Sequence, residues 1–545
     1  MRMTRWQTLV LALAAACNSS QATPAAPPPP QAAKAAPVPQ APAKPKPPEA
    51  PTDKESQSIT RDLQKMNGDD FGKPSAKFNA GTVSARRAPV ATKTKTGYEV
   101  KFGNGSAVST PAVYKGKVYT SGGFNSREFY AFEATTGKQA FGLDLSDDGP
   151  SASACEDGEC VFNTESCTVF AVDAETGKRK WAWFLGDPQT SSPTIANGVV
   201  FTSYPAGGVD GKKPRPPNST HVLAAFDLKT GKVLWQDWLD ADVISAPVAV
   251  GEFLYVSTFN GTVIKFEQAT GKIRYASKAH ATSAPVVQFV AGLESMYYTR
   301  RADQMAVQPA KPAAMAKGAG PVATPPPAPA DPSEQIVRTD HNEPVEKYST
   351  PAKSAAYLDH KVQAHAAMKG KAMSSDAGNG FGGGAPSSAA PDIANAQVGQ
   401  SNVATIQQFQ GSRILHLSNA NVNTIGDEVI ATNPEDGKQL WSHKLDGDVA
   451  KEGGALASPP IAAGSHLIVA TLHGALLEID PATGAVENKW DVGGTLRSQP
   501  VVADGWIYVG TDDGRLVAVN TGDASLTGWS MWGGNAQRTG MQPDK

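Results

Sequence analysis

The 545-residue sequence predicts an all-β protein built from repeated antiparallel sheets. Short β-branched and aromatic runs alternate with Gly, Asn and Asp turns, as in "VADGWIYVGTDDGRLVAVN" at 502–520, which is typical of consecutive hairpins. A phrase also recurs: "DAETGKRKW" at 173–181 returns as "DLKTGKVLW" at 227–235, and in weaker form at 268–275 and 435–441. Repetition of this kind indicates one structural unit used many times.

Each unit begins with Ser-x-Pro or a close variant and ends with a Thr-Gly-Lys turn and an aromatic residue. The seven starts are 109–111, 151–153, 191–193, 245–247, 283–285, 458–460 and 498–500. The turn glycines are Gly137, Gly177, Gly231, Gly271, Gly437 and Gly484, with a degenerate Gly522. Without insertions the period is about 40 residues, the length of one propeller blade. The sequence therefore predicts a seven-bladed β-propeller of four-stranded antiparallel blades, with eight blades as the alternative.

The turn chemistry explains why the phrase recurs. Glycine tolerates the positive φ that the turn requires. The aromatic residue after it is predicted to begin the fourth strand and to pack over the turn of the next blade. These predicted seam residues are Trp181, Trp235, Tyr275, Trp441 and Trp490. Segment 97–102 is predicted to be the outer strand of the last blade, so that both ends of the chain close the ring.

Outside the repeats the composition changes. Residues 1–17 have a basic start, an apolar run and small residues, which predicts an export signal and no membrane-spanning helix. Residues 18–69 are rich in Pro and Ala and are predicted to be a disordered linker. The propeller is predicted to occupy 70–545, interrupted by a disordered low-complexity insertion at 305–404.

The repeat "A-x-D-x-x-T-G-K-x-x-W" is similar to that of the PQQ-like (pyrroloquinoline quinone) propeller superfamily. That superfamily includes quinoprotein dehydrogenases and the propeller lipoprotein of the outer-membrane β-barrel assembly complex. The ending "GWSMWGGNAQRTG" resembles an exported group of such repeat proteins. Phe141 stands where the pattern has Trp, and Asn433 where it has Asp.

The N-terminal segment "LAAAC" resembles a bacterial lipobox. The resemblance implies a lipid on Cys17, which would become the new N-terminus, and a location on the periplasmic face of the outer membrane. The alternative is an ordinary signal peptide that leaves a free thiol. Cys155 and Cys160 flank an "EDGE" turn and are predicted to form a disulfide in an oxidising compartment, although pairings with Cys167 stay open.

The formal net charge of −2 argues against nucleic acid as a partner, and a monomeric propeller is expected. The superfamily resemblance implies PQQ with Ca²⁺ as the cofactor of an enzymatic member, which would need oxygen ligands and a carboxylate base. No local motif supplies them, so no catalytic residue and no metal site is predicted. Four polar residues near the unit starts are candidates for a ligand site at the channel mouth, with solvated turn residues as the alternative: Asp148, Asp242, His280 and Arg497.

The first functional hypothesis is a non-catalytic, lipid-anchored propeller that binds a protein or another envelope component. The first alternative is a PQQ- and Ca²⁺-dependent dehydrogenase of alcohols or sugars. The second is a propeller that binds a glycan or a small ligand.

Overall fold

The computed structural model is a β-propeller of eight antiparallel blades. Its described residues belong to one unit, Pro47–Lys545. None of the helices among them is long and apolar enough to cross a membrane. The described ranges are 53–68, 70–74, 82–123, 125–164, 168–185, 191–206, 213–290, 293–301, 333–340, 345–351, 353–354, 413–452 and 455–541.

Four elements precede the first blade, and blades 1 to 4 then follow in chain order. The leading elements are α1 (Lys54–Met66), β1 (Val83–Ala85), β2 (Thr92–Lys93) and β3 (Gly97–Lys101). Blade 1 has β4 (Ala112–Tyr114), β5 (Lys117–Ser121), β6 (Glu128–Glu133) and β7 (Gln139–Leu145). Blade 2 has β8 (Ala154–Glu156), β9 (Glu159–Asn163), β10 (Thr168–Asp173) and β11 (Arg179–Phe184). Blade 3 has β12 (Thr194–Ala196), β13 (Val199–Pro205), β14 (His221–Asp227) and β15 (Val233–Leu239). Blade 4 has β16 (Val248–Val250), β17 (Phe253–Ser257), β18 (Thr262–Glu267) and β19 (Ile273–Lys278).

Blades 5 to 8 complete the ring. Blade 5 has β20 (Val286–Val290), β21 (Leu293–Arg301), β22 (Ser333–Asp340), β23 (Val345–Ser349) and β24 (Lys353–Ser354), which pairs with β22. Blade 6 has β25 (Ile414–His416), β26 (Asn421–Ile425), β27 (Glu428–Thr432) and β28 (Gln439–Lys444). The short helix α2 (Val449–Glu452) leads to blade 7, which has β29 (Ile461–Ala463), β30 (His466–Ala470), β31 (Ala475–Ile479) and β32 (Val486–Asp491). Blade 8 has β33 (Val501–Ala503), β34 (Trp506–Gly510) and β35 (Arg515–Asn520), together with β3.

The blade count corrects the seven-bladed prediction in favour of its eight-bladed alternative. The start at 283–285 belongs to blade 5, whereas the next turn glycine, Gly437, belongs to blade 6. Blade 5 has a Ser-x-Pro start but no Thr-Gly-Lys turn, and blade 6 has a turn glycine but no Ser-x-Pro start. In the sequence, the start of one blade and the turn of the next were therefore counted as a single unit. For the same reason the predicted insertion at 305–404 is not continuous, because β22, β23 and β24 lie within it.

The predicted closure of the ring is confirmed. β3 pairs antiparallel with β35, and Tyr98 lies opposite Ala518. Two further strands extend the outer edges of the sheets, since β1 pairs with β7 in blade 1 and β2 pairs with β3 in blade 8. The N-terminal part of the chain thus covers strand edges that would otherwise be open to other chains.

The predicted disordered linker contains a helix, which corrects the linker boundary. α1 begins with an N-cap in which the Asp53 carboxylate accepts from the backbone N–H of Ser56 at 2.7 Å. Its buried Leu63 joins the apolar cluster of blades 3 and 4. The Thr60 hydroxyl accepts from the backbone N–H of Ala276 at 2.9 Å, and it lies 3.2 Å from the carbonyl of the same residue. The helix therefore covers the outer edge of β19.

The aromatic seams follow the prediction for Trp181, Trp235 and Trp441. A Cβ atom on Gly231 would lie 2.6 Å from Cγ of Trp181, so only glycine fits beneath the indole ring. The three indole N–H groups donate to carbonyls of the next blade: Trp181 to Leu228 at 2.7 Å, Trp235 to Gln268 at 2.8 Å and Trp441 to Pro481 at 2.8 Å. Each Trp thus combines ring packing on the next blade with a hydrogen bond to it.

Three further aromatic residues occupy the same position. Phe141 packs on Gly177, Tyr348 of blade 5 packs on Gly437, and Tyr98 packs on Gly137. Because Tyr98 belongs to blade 8 and Gly137 to blade 1, this contact closes the ring. The sequence gives no direct sign of Tyr98 and Tyr348, since neither follows a Thr-Gly-Lys turn.

Two predicted seam residues differ from this arrangement. The hydroxyl of Tyr275 donates to the Glu294 carboxylate at 2.6 Å instead of meeting a turn glycine, because blade 5 has no such turn. Trp490 is half-buried and lies two residues beyond the seam position, which Asn488 occupies opposite Glu478. Apart from its chain neighbours, no heavy atom of the described residues lies within 4 Å of a Cβ placed on Gly522. Trp490 therefore does not form the predicted contact with the turn of blade 8.

The Cys155–Cys160 disulfide is present across the β8–β9 turn, with the two Cα atoms 4.1 Å apart. Cys17, Cys167 and the signal segment 1–17 lie outside the described residues, and the lipid, the signal and any pairing of Cys167 stay predictions.

Candidate functional site

Residues 526–541, named here the axial segment, run along the inner edges of the blades. Their backbone carbonyls accept hydrogen bonds from the first strands of five blades. The donors are the N–H groups of Val113 (2.5 Å, to Ser530), Ile195 (2.9 Å, to Ala536), Ala249 (3.0 Å, to Gln537), His416 (3.0 Å, to Gly540) and Val502 (2.7 Å, to Trp529). Since the first strand of a propeller blade faces the central channel, the chain fills its own channel with this segment.

Two tryptophans make the axial segment part of the core. Trp529 and Trp532 are each 1% exposed. Trp532 packs with Ala152 and Ala246, which are the middle residues of the unit starts of blades 2 and 4. Gln499, the middle residue of the blade 8 start, accepts from the Trp529 indole N–H at 3.4 Å. The unit starts therefore form the wall against which the axial segment packs.

Arg538 is the charged residue at the centre of this contact, and it is 1% exposed. Its Nη1 donates to the carbonyl of Trp532 at 2.6 Å, and its Nε and Nη2 lie 3.3 and 3.2 Å from the carbonyl of Pro193. The guanidinium carbon lies 4.8 Å from the centre of the Trp532 ring. Burial lowers the pKa of Arg538 to about 9, so the group is still charged at neutral pH. Backbone carbonyls and an aromatic face thus stabilise the buried cation.

The predicted mouth residue Asp242 is buried and bonded within blades 3 and 4. Its Oδ1 accepts from the Ser203 hydroxyl at 2.6 Å and from the backbone N–H of Val243 at 2.7 Å. Oδ2 lies 3.8 Å from Nε2 of His221, a residue whose pKa is lowered by burial. These bonds position the unit start of blade 4 and use carboxylate lone pairs that a ligand would need.

The other three predicted residues are also placed by local contacts. Arg497 donates from Nε to Asp512 at 3.0 Å, and burial raises the pKa of that carboxyl. His280 is half-buried in a turn with φ of 52°, and burial lowers its pKa. Asp148 is half-buried, and its backbone N–H donates to the Asp147 carboxylate at 3.1 Å. Asp148, Asp242 and Arg497 thus bond to residues of adjoining strands and loops.

The residues at the axis do not fit a quinone with Ca²⁺. A calcium ion needs six to eight oxygen ligands, several of them carboxylates. The axial segment instead places two indole rings and a guanidinium there, and the positive charge of Arg538 opposes a second cation. A flat cofactor on the axis would also have to displace the backbone that bonds the first strands.

A second polar cluster lies in blade 7, where Asn488 replaces the seam aromatic. Nδ1 of His466 is 3.6 Å from Glu478, and Nε2 is 3.1 Å from Glu487. The two ring nitrogens of His466 thus face different carboxylates, and one ligand atom from each of the three residues lies within 4.8 Å of the other two, a spacing that could hold a metal ion. The exchange of the seam aromatic for Asn was the signal in the sequence that could have located it.

The family described as "Outer membrane protein assembly factor BamB" matches this chain at residues 89–288, 217–309 and 394–541. A relative of that name from Shewanella oneidensis is 24% identical over 249 residues, covering 35% of this chain and 62% of the relative. The chain spans less than two thirds of the length of the curated relatives it matches.

Two solved structures are similar to this chain at 12% sequence identity. BamB from Moraxella catarrhalis has a TM-score of 0.47, covering 79% of this chain and 97% of that chain. The quinohemoprotein alcohol dehydrogenase ADHIIG from Pseudomonas putida has a TM-score of 0.48, covering 79% and 76%.

Proposed function

Because the chain belongs to the family of the outer membrane protein assembly factor BamB, we propose that it is a non-catalytic propeller of the cell envelope. In this proposal it is exported, a lipid on Cys17 anchors it at the periplasmic face of the outer membrane, and it binds proteins that take part in outer-membrane assembly.

The occupied axis is the observation that carries this proposal. A propeller enzyme keeps its cofactor where the blades converge, and here the backbone of residues 526–541 bonds the first strands of five blades. Binding to other molecules is then a task for the loops and the outer strands. In this proposal these surfaces bind a protein partner.

The disulfide supports a location of the protein in the periplasm. Bonds of this kind persist in oxidising environments such as the periplasm and are rare in the cytosol. The Cys155–Cys160 bond therefore agrees with the export signal proposed for residues 1–17.

A thermal-shift titration separates this function from a quinone-dependent dehydrogenase. PQQ and CaCl₂ are added together to the purified full chain, and the melting temperature is followed. A ligand that binds only the folded state raises the melting temperature progressively with its concentration, and it adds about 2.7 kcal/mol to the free energy of unfolding at one hundred times Kd. We expect no concentration-dependent rise. A rise that grows with the logarithm of the ligand concentration would overturn the non-catalytic assignment.

Mass spectrometry of protein from native membranes tests the anchor and the partner. We expect a mature chain that begins at Cys17 with attached acyl groups, and chemical crosslinks to proteins of the outer-membrane assembly machinery. Cys17→Ala is the matched control, and it should leave the membrane fraction while keeping the same melting temperature. A mature chain without acyl groups, or crosslinks confined to unrelated proteins, would contradict the proposal.

A further inference from the structure

We propose that the axis of this propeller is a peptide-binding site, that the chain fills it in cis with residues 526–541, and that Arg538 is the anchor of the bound segment. The proposal does not depend on the function given above, because it concerns how the ring holds its own C-terminal segment.

The site has a wall made of backbone donors. Propeller first strands have one free edge at the axis, and a peptide can satisfy its N–H groups as an added strand would. Val502 of β33 and Trp529 exchange two hydrogen bonds, at 2.7 and 3.2 Å. The N–H groups of Ile195 in β12 and Ala249 in β16 donate to the consecutive residues Ala536 and Gln537. Recognition by backbone groups explains why the first strands can differ in sequence.

The bound segment has a closed shape of its own. The backbone N–H of Gly540 donates to the carbonyl of Gly533 at 3.0 Å, which closes a loop around Arg538. The side chain of Asn535 bonds Thr539 twice inside this loop, at 2.9 Å to the hydroxyl and 3.2 Å from the backbone N–H. The φ angle of Gly533 is 73°, and a Cβ there would lie 2.9 Å from Cα of Arg538. The Gly-Gly and Thr-Gly of "WGGNAQRTG" are thus required by this shape.

Arg538 connects the loop to the wall. Its guanidinium reaches the carbonyls of Ala152, at 3.4 Å, and Pro193, at 3.2 Å, which belong to the unit starts of blades 2 and 3. The same group bonds the carbonyl of Trp532 and lies over its ring. A planar fork with five donors can serve three carbonyls at once, whereas a lysine ammonium cannot match this arrangement. Arg538 therefore has the position of an anchor residue in a peptide complex.

The connection between ring and segment is short and exposed. Residues 522–525 are exposed, whereas Leu526, Trp529 and Met531 are buried. Cleavage within 522–525 of the folded protein would break the covalent link and leave the contacts at the axis in place. This allows the site to be tested with the full chain and without refolding a truncated protein.

The experiment inserts a specific protease site after Asp523 in the full chain and cleaves the folded protein. Size-exclusion chromatography then shows whether the C-terminal peptide elutes with the ring. We expect it to remain bound, and we expect Arg538→Gln to increase its dissociation rate at least about tenfold, because hydrogen bonds to charged groups are lost. Arg274→Gln removes an arginine that pairs with Glu267 in blade 4, and this matched control should retain the peptide.

Release of the peptide from an unsubstituted ring that stays folded by circular dichroism would overturn the proposal. Equal retention by the Arg538→Gln and Arg274→Gln proteins would overturn the anchor role. If the ring loses structure on cleavage, a synthetic peptide of residues 526–541 is added in excess. Restoration of the melting temperature supports the site, and no restoration overturns it.

Discussion

The seam between blades 2 and 3 and the junction between blades 4 and 5 join neighbouring sheets with different chemistry. In the first, Trp181 covers Gly231 and donates to the Leu228 carbonyl. In the second, the residue at the same position is Tyr275, and it donates to Glu294. Opposite the seam residue, blade 2 has Ala171 and blade 4 has Lys265, which forms an ion pair with Glu294. One seam is apolar and the other is a buried ionic network.

The junction between blades 5 and 6 continues the contrast. Its cluster of fully buried apolar residues contains Val286, Tyr297, Ile336 and Ile414. Around it lie ion pairs between the blades, Arg413 with Glu334 at 2.5 Å and Arg338 with Glu435 at 2.8 Å. The ring-on-glycine contact is therefore lost between blades 4 and 5, whereas between blades 5 and 6 it is kept by Tyr348 on Gly437 and has ion pairs around it. Elsewhere much larger apolar clusters cross the boundaries between blades.

The largest expected effect comes from breaking the ionic junction. Glu294→Gln leaves Lys265 buried and without its negative partner, so we expect a loss of about 3–5 kcal/mol in the free energy of unfolding. The side chains of Lys265 and Glu294 are 4% and 1% exposed. Glu267→Gln, which removes a partly exposed pair with Arg274, should cost below about 1 kcal/mol. Urea denaturation of both proteins measures the difference, and equal losses would show that the junction does not depend on the buried pair.

Two glycine substitutions test how much the aromatic seam contributes to stability, with a smaller expected effect. Gly437 has φ of 70°, and a Cβ there would lie 2.5 Å from the Tyr348 ring, whereas Gly522 has φ of 80° and, apart from its chain neighbours, no described heavy atom within 4 Å of its Cβ position. Gly522→Ala should cost only backbone strain, about 1–2 kcal/mol, whereas Gly437→Ala should cost about 1–3 kcal/mol more through overpacking. Thermal unfolding of the two proteins provides the comparison. Equal losses of stability would show that Tyr348 does not pack on Gly437 as a seam residue.

The smallest expected effect is a pH dependence at the junction of blades 5 and 6. His416 is 3% exposed, and its ring is stacked on Tyr297 with centroids 4.9 Å apart. Burial lowers the pKa of His416 below its ordinary value of 6.5. Below pH 6.5 the unfolded chain therefore binds a proton that the folded chain excludes. This contribution to stability is present at pH 7.5 and is lost as the pH falls, by at most about 1.4 kcal/mol per pH unit.

Urea denaturation at pH 5.5 and 7.5 checks this expectation. His416→Gln should lose less stability between the two pH values than the unsubstituted chain. His221, whose pKa is also lowered by burial, remains in both proteins and provides a common background. An unchanged pH dependence in the variant would show that His416 does not contribute to it.

The regular seams were predictable from the sequence, because Trp181 and Trp441 stand at a fixed distance after a turn glycine. The closure by β3 was predictable too, since 97–102 precedes the first unit. Tyr98 and Tyr348 were not, because neither follows a Thr-Gly-Lys turn that would mark its position in the strand. The prediction that Trp490 is a seam residue was wrong, because the presence of an aromatic residue in a strand does not fix which strand position it occupies opposite the neighbouring strand.

The candidate site was harder to predict than the fold. Asp242 and Arg497 have residue types that suit a ligand site, but their bonds to Ser203 and Asp512 depend on neighbouring strands. Arg538 was missed because an arginine near the C-terminus is usually solvated. The small middle residues of several unit starts, such as Ala152 and Ala246, were the available signal that a bulky group packs against them.

A crystal structure of the full chain tests the central claim most directly, namely that eight blades surround an axis filled by the C-terminal segment. We expect density for residues 526–541 along the first strands of the blades, with the Arg538 guanidinium against the carbonyls of Ala152 and Pro193. Seven sheets, or an open axis with this segment on the outer surface, would contradict the account.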